Sequence, residues 1–187
     1  MPSAAESKAK TYFVFAPVAL WMADPRAEGG AGGGYISFYE RRGNNFPGFF
    51  VASPAINGNQ VDLLGGVLEF RLRMGRAVNE KEAKYESLHV ELVDSGKKWV
   101  HVFDQKPSAD WLHFSVPLSS AAWWRLNGAE GQFATDDDLR QTLKRLRQIR
   151  IKAEFATDHL DERTDLDDVI LWKIEDESKK DAKPAVN

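Results

Sequence analysis

The sequence predicts an all-β fold: an antiparallel β-sandwich of the jelly-roll type with one short amphipathic helix. Three observations lead there. Short segments with two-residue alternation of apolar and polar side chains recur along the chain, about eight or nine of them. Stretches rich in Gly, Asn and Pro separate them as turns. Only Thr135–Arg147 carries a convincing helical period. Strands with one apolar face need a second sheet to cover it, and two packed antiparallel sheets are the economical answer.

The elements follow in order. Tyr12–Ala16 reads as an edge strand, Trp21–Glu28 as connecting chain, and Gly29–Gly34 as a flexible loop. That glycine run lacks the Lys-Ser/Thr ending and the following helix of a phosphate loop. Tyr35–Tyr39 and Phe49–Pro54 are short strands joined by a turn-rich loop. A long loop, Ile56–Gly66, leads to Val67–Met74, where Leu68, Phe70, Leu72 and Met74 share one face. Asn79–Glu86 is a charged excursion.

Leu88–Val93 and Trp99–Phe103 flank Asp94-Ser-Gly-Lys-Lys98, the spacing and chemistry of a hairpin. Leu112–Leu118 alternates again, with Pro117 expected where no ladder donor is needed. Thr135 caps the helix, Asp136, Asp137 and Asp138 sit at its positive end, and Leu139, Leu143 and Leu146 form its apolar stripe. Two segments close the chain. In Arg150–Phe155, Ile151, Ala153 and Phe155 point inward. Leu166–Trp172 is an apolar run entered through Asp167 and Asp168, and is expected to pair with the first.

With 187 residues, 43% hydrophobic and 28% charged, the chain fits one domain with a real core. The expected boundaries are a flexible segment over 1–11, the sandwich over 12–174 and a disordered polar tail over 175–187. A formal net charge of −3 argues against nucleic acid as a partner. No run is long enough for membrane insertion, and no signal-peptide core is visible. A cytoplasmic protein is expected, or else a processed or cloned fragment that is extracellular. With no cysteine there is no disulfide framework, thiolate nucleophile or cysteine-ligated metal.

The ordered set of segments resembles the laminin IV type A, or laminin B, domain from about Gly33 to Leu171. The resemblance rests on Phe49-Phe-Val-Ala-Ser-Pro54, the Asn57-Gly-Asn59 loop and Leu64-Gly-Gly-Val-Leu-Glu-Phe-Arg-Leu-Arg73. It continues with Trp111 to Leu118, Trp124, Gly128, Leu139 to Leu146, Ile149–Phe155 and Leu166-Asp-Asp-Val-Ile-Leu171. It implies a sandwich similar to galactose-binding and carbohydrate-binding modules, with roles in adhesion, glycan binding or protein assembly. It also implies a structural calcium near the chain ends. Asp168 or Asp167, with Asp24 or Glu28 and loop carbonyls, would be its ligands. The other reading of the two aspartates is that they accept backbone or arginine hydrogen bonds at a strand entrance.

Six tryptophans are many for this length. Trp124 and Trp172 are expected in the core. Trp99 and Trp123 are expected at the surface, where aromatic rings stack on sugars or anchor interfaces. Arg41 and Arg42, with Asn57 and Asn59, lie on the loops expected to face a ligand. The outward phase of the strands carries Glu69, Arg71, Arg73, Arg150, Lys152 and Glu154, either a solvated face or a concave charged one. His89, His101, His113 and His159 have no metal-ligand spacing and read as surface residues. There is no Gly-x-Ser-x-Gly elbow and no His-Glu-x-x-His. The expected function is a non-catalytic recognition or assembly module that binds a protein partner or a glycan. The alternatives are a structural subunit of an intracellular complex and a glycoside-processing enzyme.

Overall fold

The computed structural model describes residues 9–14, 23–31, 34–39, 48–52, 63–76, 86–155 and 162–174. Two antiparallel sheets stack face to face. The six-stranded sheet has the order β2 (Ala23–Arg26), β3 (Tyr35–Tyr39), β11 (Arg163–Ile174), β5 (Val67–Arg76), β8 (Leu112–Pro117). Its sixth strand, β1 (Ala9–Val14), pairs with the far end of β11, so β3 and β1 follow one another beside the same long strand. The five-stranded sheet has the order β4 (Phe49–Ala52), β10 (Gln148–Lys152), β6 (His89–Val93), β7 (Lys98–Val102), β9 (Arg125–Leu126).

Alternation explains the core. Leu68, Phe70 and Leu72 of β5, Phe114 and Val116 of β8, and Leu166 of β11 face Val90 and Leu92 of β6 and Ile149 and Ile151 of β10 in one buried cluster. Phe70 stacks on Phe114 with ring centroids 5.4 Å apart. The Gly65-Gly66 pair ahead of β5 has a backbone reason. Gly65 has φ 77°, and a Cβ on Gly66 would stand 2.9 Å from the Trp172 carbonyl. Pro117 lies on β8 at the edge of its sheet, as expected.

The helix α1 (Asp136–Lys144) begins with a complete capping box, Thr135 accepting from Asp138 N–H and Asp138 accepting from Thr135 N–H. Leu139, Leu143 and Leu146 are all buried. Asp94 makes the hairpin turn between β6 and β7, its Oδ1 accepting from the Gly96 and Lys97 amides at 2.7 Å each. Among the described residues no helix is long and apolar enough to cross a membrane.

Five expectations need correction. The closing segments do not pair: β10 and β11 belong to opposite sheets. Each has one apolar face, and such faces meet across the core as readily as strands pair edge to edge. The outward charges therefore split, with Glu69, Arg71 and Arg73 on one face and Arg150, Lys152 and Glu154 on the other. Ala23–Arg26, read as connecting chain, is a strand. Trp172 is half-buried rather than core. His89 and His101 are half-buried too, and burial is the largest cause holding both imidazoles below their usual pKa. β1 begins at Ala9, ahead of the expected boundary at residue 12. His159 and the 175–187 tail lie outside the described residues.

Candidate functional site

Residues directly opposite one another in neighbouring strands project to the same face. In the five-stranded sheet this puts Val51, Arg150, Glu91, Val100 and Arg125 in one row across the outer surface. An isolated bridge adds Phe133 beyond Arg125. At roughly 4.8 Å per strand, the row runs about 24 Å.

Glu91 is the buried centre of the row. It accepts from Lys98 Nζ at 2.8 Å and Arg150 Nη1 at 3.4 Å, with His89 Nε2 at 3.7 Å. Burial and then the Lys152 ammonium lower the His89 pKa, so the ring stays neutral near pH 7. Lys152 pairs with Glu86, and the Phe49 ring meets the His89 ring edge-on at 5.5 Å. Glu154 accepts from Gly48 N–H at 2.8 Å. Arg125 differs from these cations: it has no carboxylate partner among the described residues, and its guanidinium lies 5.8 Å from the Phe133 ring centroid.

The Phe133 end of the row is aromatic. Trp123 is 67% exposed and Phe133 44%, and their rings meet edge-on at 5.3 Å. The backbone makes this exposure. A single 3-10 turn, Ser120–Ala122, ends at Trp123 in the left-handed region with φ 54°. That twist turns Trp123 outward while Trp124, the next residue, is fully buried with Nε1 donating to Pro117 O at 3.0 Å. Ser120 N–H is pinned to Asp136 Oδ1 at 2.7 Å. His101 Nδ1 donates to Ala122 O at 2.6 Å, which fixes its tautomer because a carbonyl only accepts. Asn127 with φ 52° and Gly128 with φ 77° then reverse the chain, and Leu126 N–H bonds Gln132 O at 2.9 Å, bringing Phe133 back beside Arg125.

The opposite outer face carries a network centred on Asp165. Asp165 is fully buried there. It accepts from Ser37 Oγ at 2.6 Å, Arg73 Nε at 2.9 Å and Arg163 Nε at 2.8 Å. Arg73 covers the Tyr35 and Trp111 rings at 5.2 and 4.5 Å, and Arg163 covers Tyr35 and Tyr39, both at 5.7 Å. Rings covered by guanidinium groups offer no free platform, so this network acts as scaffold.

The residues singled out from sequence scatter. Trp99 is not at the surface. It lies opposite Leu92, so it faces inward, only 3% exposed, with Nε1 donating to Thr142 Oγ1 of α1 at 3.1 Å. Arg41, Arg42, Asn57 and Asn59 lie outside the described residues. Asp168 lies in a β-bulge that follows Asp167: Asp167 faces Arg71, Ile170 faces Glu69, and Asp168 and Val169 between them oppose Phe70 alone. Asp168 sits there with φ 49°, its N–H donating to Asp167 Oδ1 at 2.8 Å and its carboxylate 3.4 Å from Arg71 Nε. Glu28 is exposed, Asp24 lies on β2 opposite Ser37, and among the described residues no three His, Asp or Glu gather to hold a metal.

The profile described as Laminin B (Domain IV) matches residues 49–187, well over half of the chain. The chain belongs to the laminin B family. That family is one of non-enzymatic modules. The L4b domain of human laminin alpha-2 is similar in structure, with a TM-score of 0.62 at 11% identity over 90% of this chain and 99% of that one. The family 11 carbohydrate-binding module CtCBM11 is similar at a TM-score of 0.53 and 13% identity, over 90% of this chain and 97% of its own. A family 11 carbohydrate-binding module from Clostridium thermocellum gives 0.50 at 12% identity, over 87% and 82%. At such identities the likenesses establish the fold of the laminin B domain alone. No curated protein sequence matches it. In this laminin B domain the exposed aromatic pair comes from two turns on either side of Trp124, the 3-10 turn that ends at Trp123 and the reversal that returns Phe133, which the strand pattern passes over. Phe133 and Arg125 were missed from sequence, although Asn127-Gly128 was a visible reversal signal.

Proposed function

We propose that the domain is a non-catalytic binding module whose outer five-stranded face takes a glycan, with Trp123 as the stacking platform. The observation that carries this is Trp123 itself: two-thirds exposed, fixed by a left-handed backbone and flanked by Phe133 and Arg125. Leaving a large ring in water beside a strained backbone lowers stability, and a ligand is the reason to keep it there. A sugar offers such a ring an apolar face for stacking, while its hydroxyls suit the flanking polar groups. The row provides those across the strands. The fold is shared with a carbohydrate-binding module solved in complex with a β-1,3-1,4-mixed-linked tetrasaccharide, which supports a glycan over a protein ligand.

Affinity electrophoresis through gels containing neutral and acidic polysaccharides tests the reading. At least one polymer should retard the domain, and Trp123→Ala should run freely at an unchanged melting temperature. Retardation of the variant equal to the wild type, or no retardation by any polymer, would overturn it.

A further inference from the structure

We propose that the glycan is acidic, its carboxylate or sulfate held by Arg125 while the ring that bears it stacks on Trp123. This rests on the stacking role of Trp123 and names the ligand class of the same site.

Charge pairing on this outer face carries the inference. Lys98 and Arg150 share Glu91, and Lys152 has Glu86. Arg125 has Val100 on one side and Phe133 on the other, with no carboxylate partner among the described residues. It is therefore the cation of the row left with its charge to offer. A guanidinium is weakly hydrated and presents paired N–H donors in the geometry that carboxylate and sulfate oxygens accept. Its place is also right. Arg125 lies 5.8 Å from the Phe133 centroid, and that ring is 5.3 Å from Trp123. A sugar stacked on Trp123 and extending past Phe133 would direct an exocyclic acid group toward Arg125.

Beyond Arg125 the row leads to the partly exposed heads of Lys98 and Arg150. A polyanion laid across the strands meets Arg125 first and then the cluster of Lys98, Arg150 and Glu91, which keeps one formal positive charge. The formal charge of the whole chain is −3, so this cationic track is local rather than a reflection of overall charge.

The test uses polygalacturonate, alginate and heparin as acidic probes. Methyl-esterified pectin keeps the polygalacturonate rings without their charge, and mixed-linked β-glucan is a second neutral probe. The intact chain should bind at least one acidic polymer roughly tenfold more tightly than any neutral one, with affinity falling as salt rises. Arg125→Gln should remove that preference, Arg125→Lys should restore part of it, and Trp123→Ala should abolish binding. Equal binding of polygalacturonate and its methyl ester, or binding of neutral polymers alone, overturns the acidic ligand while leaving a Trp123-dependent glycan site standing. Binding to no polymer of either kind overturns both.

Discussion

The Ser37 hydroxyl donates a 2.6 Å hydrogen bond to Asp165 Oδ1, joining β3 to β11 across 128 residues of chain with both side chains fully buried. Asp165 also receives Arg73 and Arg163, so one carboxylate organises the outer face of the six-stranded sheet. Removing different members of this network costs different amounts. Ser37→Ala leaves Asp165 with both arginines and should lower stability by about 1 kcal/mol. Asp165→Ala leaves two guanidinium groups and a hydroxyl without their acceptor, and about 3 kcal/mol or more should be lost. Urea unfolding measures both. Equal losses for the two variants would contradict this ranking.

The tryptophans separate cleanly. Trp99→Ala removes a core ring and its bond to Thr142, and should cost about 3–5 kcal/mol. Trp123→Gly removes an exposed ring and relieves the left-handed backbone, so its stability should stay within about 0.5 kcal/mol of the parent. Thermal melts of the two variants check the contrast, and a large loss at Trp123 would show that its ring packs.

Asp94 makes the stability of the β6–β7 hairpin depend on pH. Burial alone would raise its pKa from 3.8, but the Gly96 and Lys97 amides and the Thr142 hydroxyl outweigh it, and the net shift is downward. A depressed native pKa means stability that is present above the unfolded value and lost as pH falls through the native one. Asp94→Asn should therefore be less stable than the parent at pH 7, with the gap closing below about pH 4. A gap that stays constant from pH 7 down to pH 2 would mean that the carboxylate charge has no role.

At the β11 bulge, the Arg71 guanidinium already lies 3.4 Å from an Asp168 carboxylate oxygen. EDTA should leave the melting temperature unchanged. Asp168→Gly should be neutral or slightly stabilising, because glycine accepts φ 49° freely and an exposed ion pair contributes about 0–1 kcal/mol. A chelator-induced drop that disappears in Asp168→Ala would instead establish calcium at this bulge.

Local periodicity made the sandwich legible. β5 and β8 bury alternate residues as their sequences dictate, β10 does so up to Ile151, and the capped helix stands within a few residues of its expected span. Sheet membership is not local: β10 and β11 look like partners because each has one apolar face, yet those faces meet across the core. Trp99 was misplaced by the neighbouring Lys97-Lys98 turn, although its register opposite Leu92 fixes it inward. β2 is hidden by Pro25, which no strand pattern favours. At the candidate site, the exposure of Trp123 was legible. Phe133 and Arg125 were not, because a turn built on positive φ angles brings them together without any periodicity.

The β1–β11 ladder sets how the domain answers tension. Ala9 lies opposite Ile174, and the two strands are antiparallel, so the flanking segments are attached at neighbouring points of the sheet. A pull applied through those flanks opens the ladder from its end, one pair at a time, rather than shearing all its bonds together. β1 is therefore the first element to yield under load, while β11 keeps β3 and β5 on either side. The same geometry lets the sandwich sit within a longer chain as a side excursion, adding little to that chain's length.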